Sequence, residues 1–408
     1  MQVFERTAIV GGGPAGALVA AALARRGREV LLFDEKLAWE KPCGGGLTDK
    51  ALARWPFLRE AGVTPNWVDR CELFAPSGRR VSFSLGRPIA IFSRLALNGL
   101  MLERACESGA QLRRERVIEI DGQAGRWKIR TPASTYAAEF VVIATGARNG
   151  FRSQFTSPPG PENFMVAAGY YIPGHHRTVQ IKFLRELEGY IWVFPRVDHF
   201  SAGICGRMKG KTAAELRQLL DESLPELGLD LRHAQFYAHI IPSLTVDQLR
   251  NGRFSGEGWA MIGDAAGFVD AITGEGLYYA LRSAELAAQA LLADQPQTYA
   301  ALVRDDFLPE LDHAAQIRDR FYSGAWMGAP VVERMIQLTG RSSRFRDLMR
   351  DLFAGSQEYS SLRERVYRSL PRIAAEALVN TLWSRKEAAG RRQTSPGLSG
   401  SLGAGNRS

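Results

Sequence analysis

The segment Thr7-Ala8-Ile9-Val10-Gly11-Gly12-Gly13-Pro14-Ala15-Gly16 constrains the fold more than any other part of the chain. An apolar run ends abruptly in glycines, and the alanine-rich stretch Ala17 to Ala24 follows, closing at Arg25-Arg26-Gly27. A second apolar run, Val30 to Phe33, then stops on Asp34, 18 residues beyond the last glycine. The pattern predicts strand, tight turn, helix and strand. Glycines there let a pyrophosphate approach the N–H groups of the helix N-terminus, while the carboxylate takes a ribose hydroxyl. The predicted contacts are Gly11, Gly13, Pro14, Ala15, Gly16 and Asp34.

A second glycine loop lies far along the chain: Gly263-Asp264-Ala265-Ala266-Gly267, followed by Gly274-Glu275-Gly276-Leu277. Taken alone, it reads as a strand-to-helix turn. Paired with the first loop it predicts FAD, because an extended FAD carries its ring system well away from its pyrophosphate and needs a second support. Gly263 and Asp264 are expected cofactor contacts, with Asp264 accepting a hydrogen bond from a ribityl hydroxyl. Gly274, Gly276 and Leu277 open an apolar helix (Ala280, Leu281, Ala284, Ala287, Ala288, Leu291). Its N-terminal amides would face the flavin N1/O2 edge and favour the anionic reduced form.

At 408 residues and 45% apolar, the chain is long enough for two or three domains with sizeable cores. The four cysteines Cys43, Cys71, Cys106 and Cys205 form no CxxC, which fits a reducing cytoplasmic setting and argues against a disulfide framework. Neither they nor the six histidines have metal-ligand spacing, so no metal is expected. Residues 7–27 do not read as a signal peptide, since GGGPAG interrupts the apolar run and no basic region precedes it. No stretch reaches membrane-spanning length without charge or glycine breaks.

Residues 311–408 hold 16 of the 52 Lys and Arg but only 9 of the 43 Asp and Glu, so most of the net charge of +9 sits there. With no aromatic-interleaved basic motif, nucleic acid is not an expected partner. A basic amphipathic region resting peripherally on anionic lipid and an ordinary solvated helical face both remain open.

The expected architecture is α/β. A discontinuous Rossmann-type FAD-binding domain spans 1–70, 93–160 and 250–297, and an antiparallel-sheet substrate domain (71–92 and 161–249) is inserted between its parts. A helical C-terminal region spans 298–389, and the Gly-, Ser- and Arg-rich 390–408 reads as a disordered tail. Within this plan, Gln111 to Ile120 reads as one strand. Pro371 reads as the start of a final amphipathic helix carrying Ile373, Ala374, Ala377, Leu378 and Leu382.

Two further segments discriminate among flavoproteins. In Lys41-Pro42-Cys43-Gly44-Gly45-Gly46-Leu47 the three glycines let the backbone approach a flat ring that side chains would block. In Gly189-Tyr190-Ile191-Trp192-Val193-Phe194-Pro195 the aromatics Tyr190, Trp192 and Phe194 alternate and share one strand face, a wall suited to a long apolar substrate. As bland alternatives, Cys43 is a packed thiol and the aromatics are sheet core.

This organisation resembles the superfamily of aromatic hydroxylases, flavin halogenases and geranylgeranyl reductases over roughly residues 5–300. The cysteine–glycine loop and the Tyr-x-Trp-x-Phe-Pro run are similar to those of the geranylgeranyl reductase family. There the cysteine lies near the flavin and the aromatics line the isoprenoid cavity. The resemblance implies that Arg94 contacts FAD and that the Val117 backbone reads adenine. An isolated alkene also needs a proton donor, and Cys43 and a bound water are the two candidates. Two departures stand out: Leu187 replaces a proline of the archaeal lipid reductases, and Asn98 replaces the more usual Asp. Thr145 stands where NADPH-dependent hydroxylases carry an aspartate, and no second GxGxxG follows a strand. The implied electron donor is transiently bound NADPH or a ferredoxin-like protein. The expected activity is reduction of polyprenyl carbon–carbon double bonds. A flavin monooxygenase or halogenase and a non-catalytic flavin-binding protein remain the alternatives.

Overall fold

The computed structural model describes residues 4–60, 62–207 and 212–393, with side chains followed as far as 381. Its centre is a six-stranded sheet ordered Ser255–Gly256, Trp259–Met261, Phe140–Ile143, Arg6–Val10, Glu29–Phe33, Gln111–Arg113. All neighbours are parallel except the first pair. The parallel strands are buried on both faces, so they read as continuous apolar runs such as Phe140-Val141-Val142-Ile143. The Pro14–Ala24, Leu277–Leu292 and Arg94–Glu107 helices cover the sheet and one another.

The second layer is an eight-stranded sheet ordered Gln235–Pro242, Phe164–Pro173, His199–Gly206, Gly189–Pro195, Thr178–Lys182, Asn66–Phe74, Arg80–Ile91, Gly46–Leu47. It is antiparallel apart from the parallel pair Thr178–Lys182 with Asn66–Phe74. One face packs on the Ala213–Glu226 helix, which starts at a Thr212–Glu215 capping box. The other face packs on the C-terminal helices Val331–Arg341, Ser343–Ala354 and Tyr359–Gln393.

The discontinuous α/β architecture is therefore as expected, but several boundaries move. The large sheet begins at Asn66, ahead of the expected boundary at 71. A register shift between Val68 and Arg70 breaks the alternation that would have marked the strand's start. Gly46–Leu47 adds an edge strand to the same sheet from within the first segment of the cofactor domain. Residues 111–120 are two short strands, Gln111–Arg113 and Glu119–Gln123, in different sheets. The polar run Arg114-Glu115-Arg116 leaves the sheet edge between them, with Glu115 anchored by the Thr131 hydroxyl at 2.5 Å and the Tyr136 hydroxyl at 2.6 Å.

At the C-terminus Pro371 lies inside the Tyr359–Gln393 helix and does not start it. Pro371 is exposed, where water can satisfy the carbonyl it leaves unpaired. The helix also runs past 390, so the expected tail does not begin there; residues 394–408 lie outside the described residues. The expected apolar stripe divides. Ile373 is buried against the sheet-facing core with Ala377 beside it, Leu378 is 62% exposed, and Leu382 falls outside the described side chains.

Candidate active site: a flavin cavity that continues into an apolar one

The carboxyl ends of the central strands open into one cavity of about 1610 Å³ that runs on beneath the eight-stranded sheet. At its first end lie Gly11, Gly13, Pro14, Ala15, Asp34 and Val117. Gly11 has φ +110°, and a Cβ there would meet the Ala144 carbonyl oxygen at 2.3 Å, so the turn admits only glycine. A Cβ on Gly13 would meet nothing within 4 Å, leaving open space over the helix N-terminus. Asp34 accepts from Gly12 N–H at 2.7 Å through Oδ2, and from Lys36 and Leu37 N–H at 2.9 and 2.8 Å through Oδ1. The carboxylate is thus fixed at the rim, where a ribose hydroxyl could add a further bond.

The middle of the cavity is lined by Cys43, Gly44, Gly45, Gly46, Arg94 and Asp264, with Gly274, Gly276 and Leu277 opposite. Two expected contacts do not line it. A Cβ on Gly16 would fall 1.8 Å from the Gly11 carbonyl oxygen, so this glycine serves helix-to-strand packing. Gly263 (φ +56°) backs onto Ala280 and donates its N–H to Ser283 Oγ at 2.9 Å. Close backbone packing, not ligand approach, requires both glycines.

The cysteine–glycine loop is held by residues that motif reading missed. The Arg196 guanidinium is fully buried; it donates to the Cys43 carbonyl at 2.6 Å and ion-pairs with Glu40. Burial lowers the Arg196 pKa to about 10, against the pull of Tyr237 and Asp198. Glu40 also accepts from Ser93 Oγ at 2.5 Å and from Arg94 N–H at 2.8 Å, joining the loop to the start of the Arg94–Glu107 helix. Ser201 Oγ adds a second bond to the Cys43 carbonyl at 2.9 Å, and Gly45 N–H points to Cys43 Sγ at 3.3 Å. Gly45 (φ +80°) lies over the Phe92 carbonyl, and a Cβ on Gly44 or Gly46 would press on the Phe194 ring at 3.3 Å.

Lys41 Nζ reaches Asp264 Oδ2 at 3.3 Å and bridges the two glycine-rich segments. Burial works against the Asp264 carboxylate, yet Lys41 above all, and then Arg94, holds its pKa below the usual range. His239, from the Gln235–Pro242 strand, has its pKa lowered to about 4 by burial and by Lys41, so its ring is neutral at pH 7. An alternating strand gave no sign that this histidine faces a cofactor.

The residues fit FAD. Both the Pro14–Ala24 and Leu277–Leu292 helices begin at the cavity with no side-chain cap. Arg94 is buried at 4% exposure, and among the described residues its guanidinium donates only to the Asn98 side-chain Oδ1, at 3.2–3.3 Å. Among the described residues, Thr145 Oγ1 and His239 Nε2 are buried without a hydrogen-bond partner at the same cavity. Uncapped N–H groups, a cation without a carboxylate and orphaned polar atoms in one place match a phosphate- and hydroxyl-bearing cofactor.

Beyond this region the cavity turns apolar. Tyr190, Trp192 and Phe194 line it from one strand face, while Ile191 and Val193 pack into the opposite core. Phe194 sits under the glycine loop, and the Tyr190 hydroxyl donates to the Thr273 carbonyl. Trp192 (6% exposed) carries the wall onward to Leu73, Val179, Ile181 and Phe183. The opposite wall is Phe345, Leu348, Met349 and Leu352, with Leu362 and Val366 of the last helix. Phe345, Leu348, Met349 and Leu352 follow an i, i+3, i+4, i+7 spacing, so they share one face of the Ser343–Ala354 helix.

A family model described as pyridine nucleotide-disulphide oxidoreductase matches residues 5–163. The geranylgeranyl diphosphate reductase of Synechocystis sp. is 27% identical over 329 residues, covering 71% of this chain and 75% of its own length. A geranylgeranyl bacteriochlorophyll reductase-like protein of Thermoplasma acidophilum superposes with a TM-score of 0.76 at 18% identity, over 93% of this chain and 100% of that one. A flavin-dependent brominase superposes at 0.67 with 17% identity, over 91% of this chain and 100% of its own. At such identities the two structural likenesses show the fold.

Proposed function

We propose that this chain, an FAD-dependent oxidoreductase with relatives named geranylgeranyl reductase, saturates carbon–carbon double bonds of a polyprenyl group. One observation carries the reading: the cofactor region is continuous with an apolar cavity walled by the Tyr190–Phe194 strand and the C-terminal helices. A small polar substrate needs no such extension.

FAD, reduced by transiently bound NADPH or a ferredoxin-like protein, supplies a hydride to one alkene carbon. The chain's own residues bind, orient and exclude water. With FAD bound, Gly11, Gly13 and the following helix would hold the pyrophosphate, Asp34 a ribose hydroxyl, the Val117 backbone the adenine, and Asp264 the ribityl chain. The cysteine–glycine loop, braced by Arg196 and Glu40, gives the ring system a flat seat with Cys43 at its edge. Trp192 and the facing helices align the chain so that one double bond stands over the ring. Peripheral contact with an anionic membrane would bring the cavity mouth to a lipid substrate; among the described residues no helix is long and apolar enough to cross one.

The test is anaerobic photoreduction of the flavin followed by a geranylgeranyl lipid. The expected result is flavin reoxidation with a product heavier by two hydrogens per bond reduced. A product that forms only with oxygen and gains oxygen or halogen would move the assignment to the monooxygenases or halogenases. Tight FAD binding with no substrate-stimulated reoxidation would leave a non-catalytic flavoprotein.

A further inference from the structure

Saturating an isolated alkene needs a proton as well as a hydride, and the cavity contains a side chain placed to hold one. Glu275 lies in the turn Thr273-Gly274-Glu275-Gly276 that opens the Leu277–Leu292 helix, and it lines the cavity between the cofactor region and the C-terminal helices. Its backbone is fixed: the N–H donates to Thr273 Oγ1 at 3.2 Å, and the carbonyl accepts from Asp270 N–H at 3.0 Å. The same turn is pinned by the Tyr190 hydroxyl on the Thr273 carbonyl and the Tyr322 hydroxyl on the Ile272 carbonyl at 2.5 Å. Among the described residues the Glu275 carboxyl itself makes no ion pair or side-chain hydrogen bond. It is a free acid on a rigid support.

The neighbouring Asp270 differs. Asp270 is 3% exposed, and its Oδ1 accepts from Ile272 N–H at 2.7 Å and Thr273 N–H at 2.9 Å, so it is committed to the turn. Among the charges acting on Glu275, Asp270 has the largest effect. Lys50 from the Asp49–Arg54 helix opposes it, and Tyr279, Tyr359 and Glu310 face the same space from three other helices. Burial first, and then Asp270, raises the Glu275 pKa to about 7 despite Lys50. A pKa near neutrality is the condition under which a general acid both donates and recovers its proton.

We propose that Glu275 is the proton donor of the reductase reaction, an assignment that rests on the polyprenyl reading above. In the balanced step the alkene π bond breaks, one carbon gains the hydride from reduced FAD, and the other gains the proton from the Glu275 carboxyl. The products are the saturated bond, oxidised FAD and a Glu275 carboxylate that solvent reprotonates. Cys43 is then a wall of the flavin seat, its sulfur already facing the Gly45 N–H.

Two measurements on the full-length FAD-bound protein test this. In carbon-13 NMR of protein labelled at the glutamate carboxyl carbon, without substrate, one resonance should titrate near pH 7 and vanish in Glu275→Gln. In anaerobic reoxidation by a geranylgeranyl lipid, the wild-type rate should fall as pH rises through about 7. Glu275→Gln should be slower by about 100-fold and lose that limb, and Glu275→Asp should restore part of both. The assignment is overturned if no glutamate titrating near 7 disappears in Glu275→Gln. It is also overturned if that variant keeps the wild-type rate and pH profile while Cys43→Ser loses them. Failure of the wild-type reduced protein to be reoxidised by any polyprenyl lipid would instead remove the reductase reading, and this assignment with it.

Discussion

Lys41 and Asp264, 223 positions apart in the chain, meet across the cavity with Nζ and Oδ2 3.3 Å apart. Both side chains are about one-fifth exposed, so solvent screens the pair only in part. The contact fixes the cysteine–glycine loop against the second glycine loop, so the two halves of the cofactor seat are set by one ion pair. Asn149 Nδ2 and Arg152 Nη1, which donate to the Ala265 carbonyl at 3.2 and 3.1 Å, brace the second loop from the other side.

Replacing Lys41 by Met should therefore weaken FAD binding by about tenfold, or ~1.4 kcal/mol. The pH dependence follows from the same pair. Asp264 titrates lower in the folded chain than in the unfolded one, so its contribution is present above the ordinary aspartate range and is lost as pH falls below it. Lys41→Met should flatten that acid-side loss in a thermal-melt series across pH. Titration of the apoprotein with FAD, followed by flavin fluorescence, reads the first effect. Unchanged affinity together with an unchanged acid limb would mean that the two loops are placed independently.

Gly13 and Gly16 separate ligand approach from packing within one motif. A Cβ on Gly13 meets no protein atom, so Gly13→Val should fold with a near-native apoprotein melt yet purify largely without flavin. A Cβ on Gly16 would fall 1.8 Å from a backbone oxygen, so Gly16→Ala should lower the melting temperature of the apoprotein itself. Absorbance at the flavin band and a thermal melt on each variant distinguish the two. A fully yellow Gly13→Val protein would contradict the pyrophosphate site.

What could be read in advance depended on how local the signal was. Gly11 and Asp34 are joined by one helix and one strand, so their places at the same end of the cavity were legible from spacing alone. The alternation of Tyr190, Trp192 and Phe194 likewise fixed a shared strand face. Arg196, Glu40, Lys41 and His239 carry no spacing signature, because each reaches the site across a fold-level contact. The Arg196 bond to the Cys43 carbonyl spans 153 positions. Glu275 was visible in its loop as a turn residue between two glycines. Its acidity depends on partial enclosure by groups such as Tyr359 from a helix far downstream, which residue order does not show. The aromatic wall was legible, whereas its partner wall was not, because an amphipathic helix shows that a face is buried without showing what fills the gap.

The apolar cavity and the membrane surface make a joint prediction. Trp192→Ala removes a wall that is 6% exposed, and loss of such a contact costs about 2–3 kcal/mol of binding for a chain packed against it. Long polyprenyl lipids should lose most of that affinity, and short soluble analogues little. At the mouth, Tyr367 lines the cavity and is 56% exposed, with Arg363 over its ring at 5.6 Å. Farther along the same helix Leu378 and Val379 are 62% and 60% exposed, whereas Ile373 is consumed by the core. Arg365 and Arg368 are paired with Asp351 and Glu364, but Arg372 has no ion pair among the described residues. The exposed apolar strip is thus narrower than the whole basic region, and Arg385, Lys386, Arg391 and Arg392 lie beyond the described side chains. Leu378→Glu with Val379→Glu should reduce co-sedimentation with phosphatidylserine vesicles without lowering the melting temperature, because neither side chain is part of the core. Raising salt should weaken the sedimentation of the unmodified chain. If that chain never sediments and Trp192→Ala leaves long-chain affinity unchanged, the substrate is a soluble one.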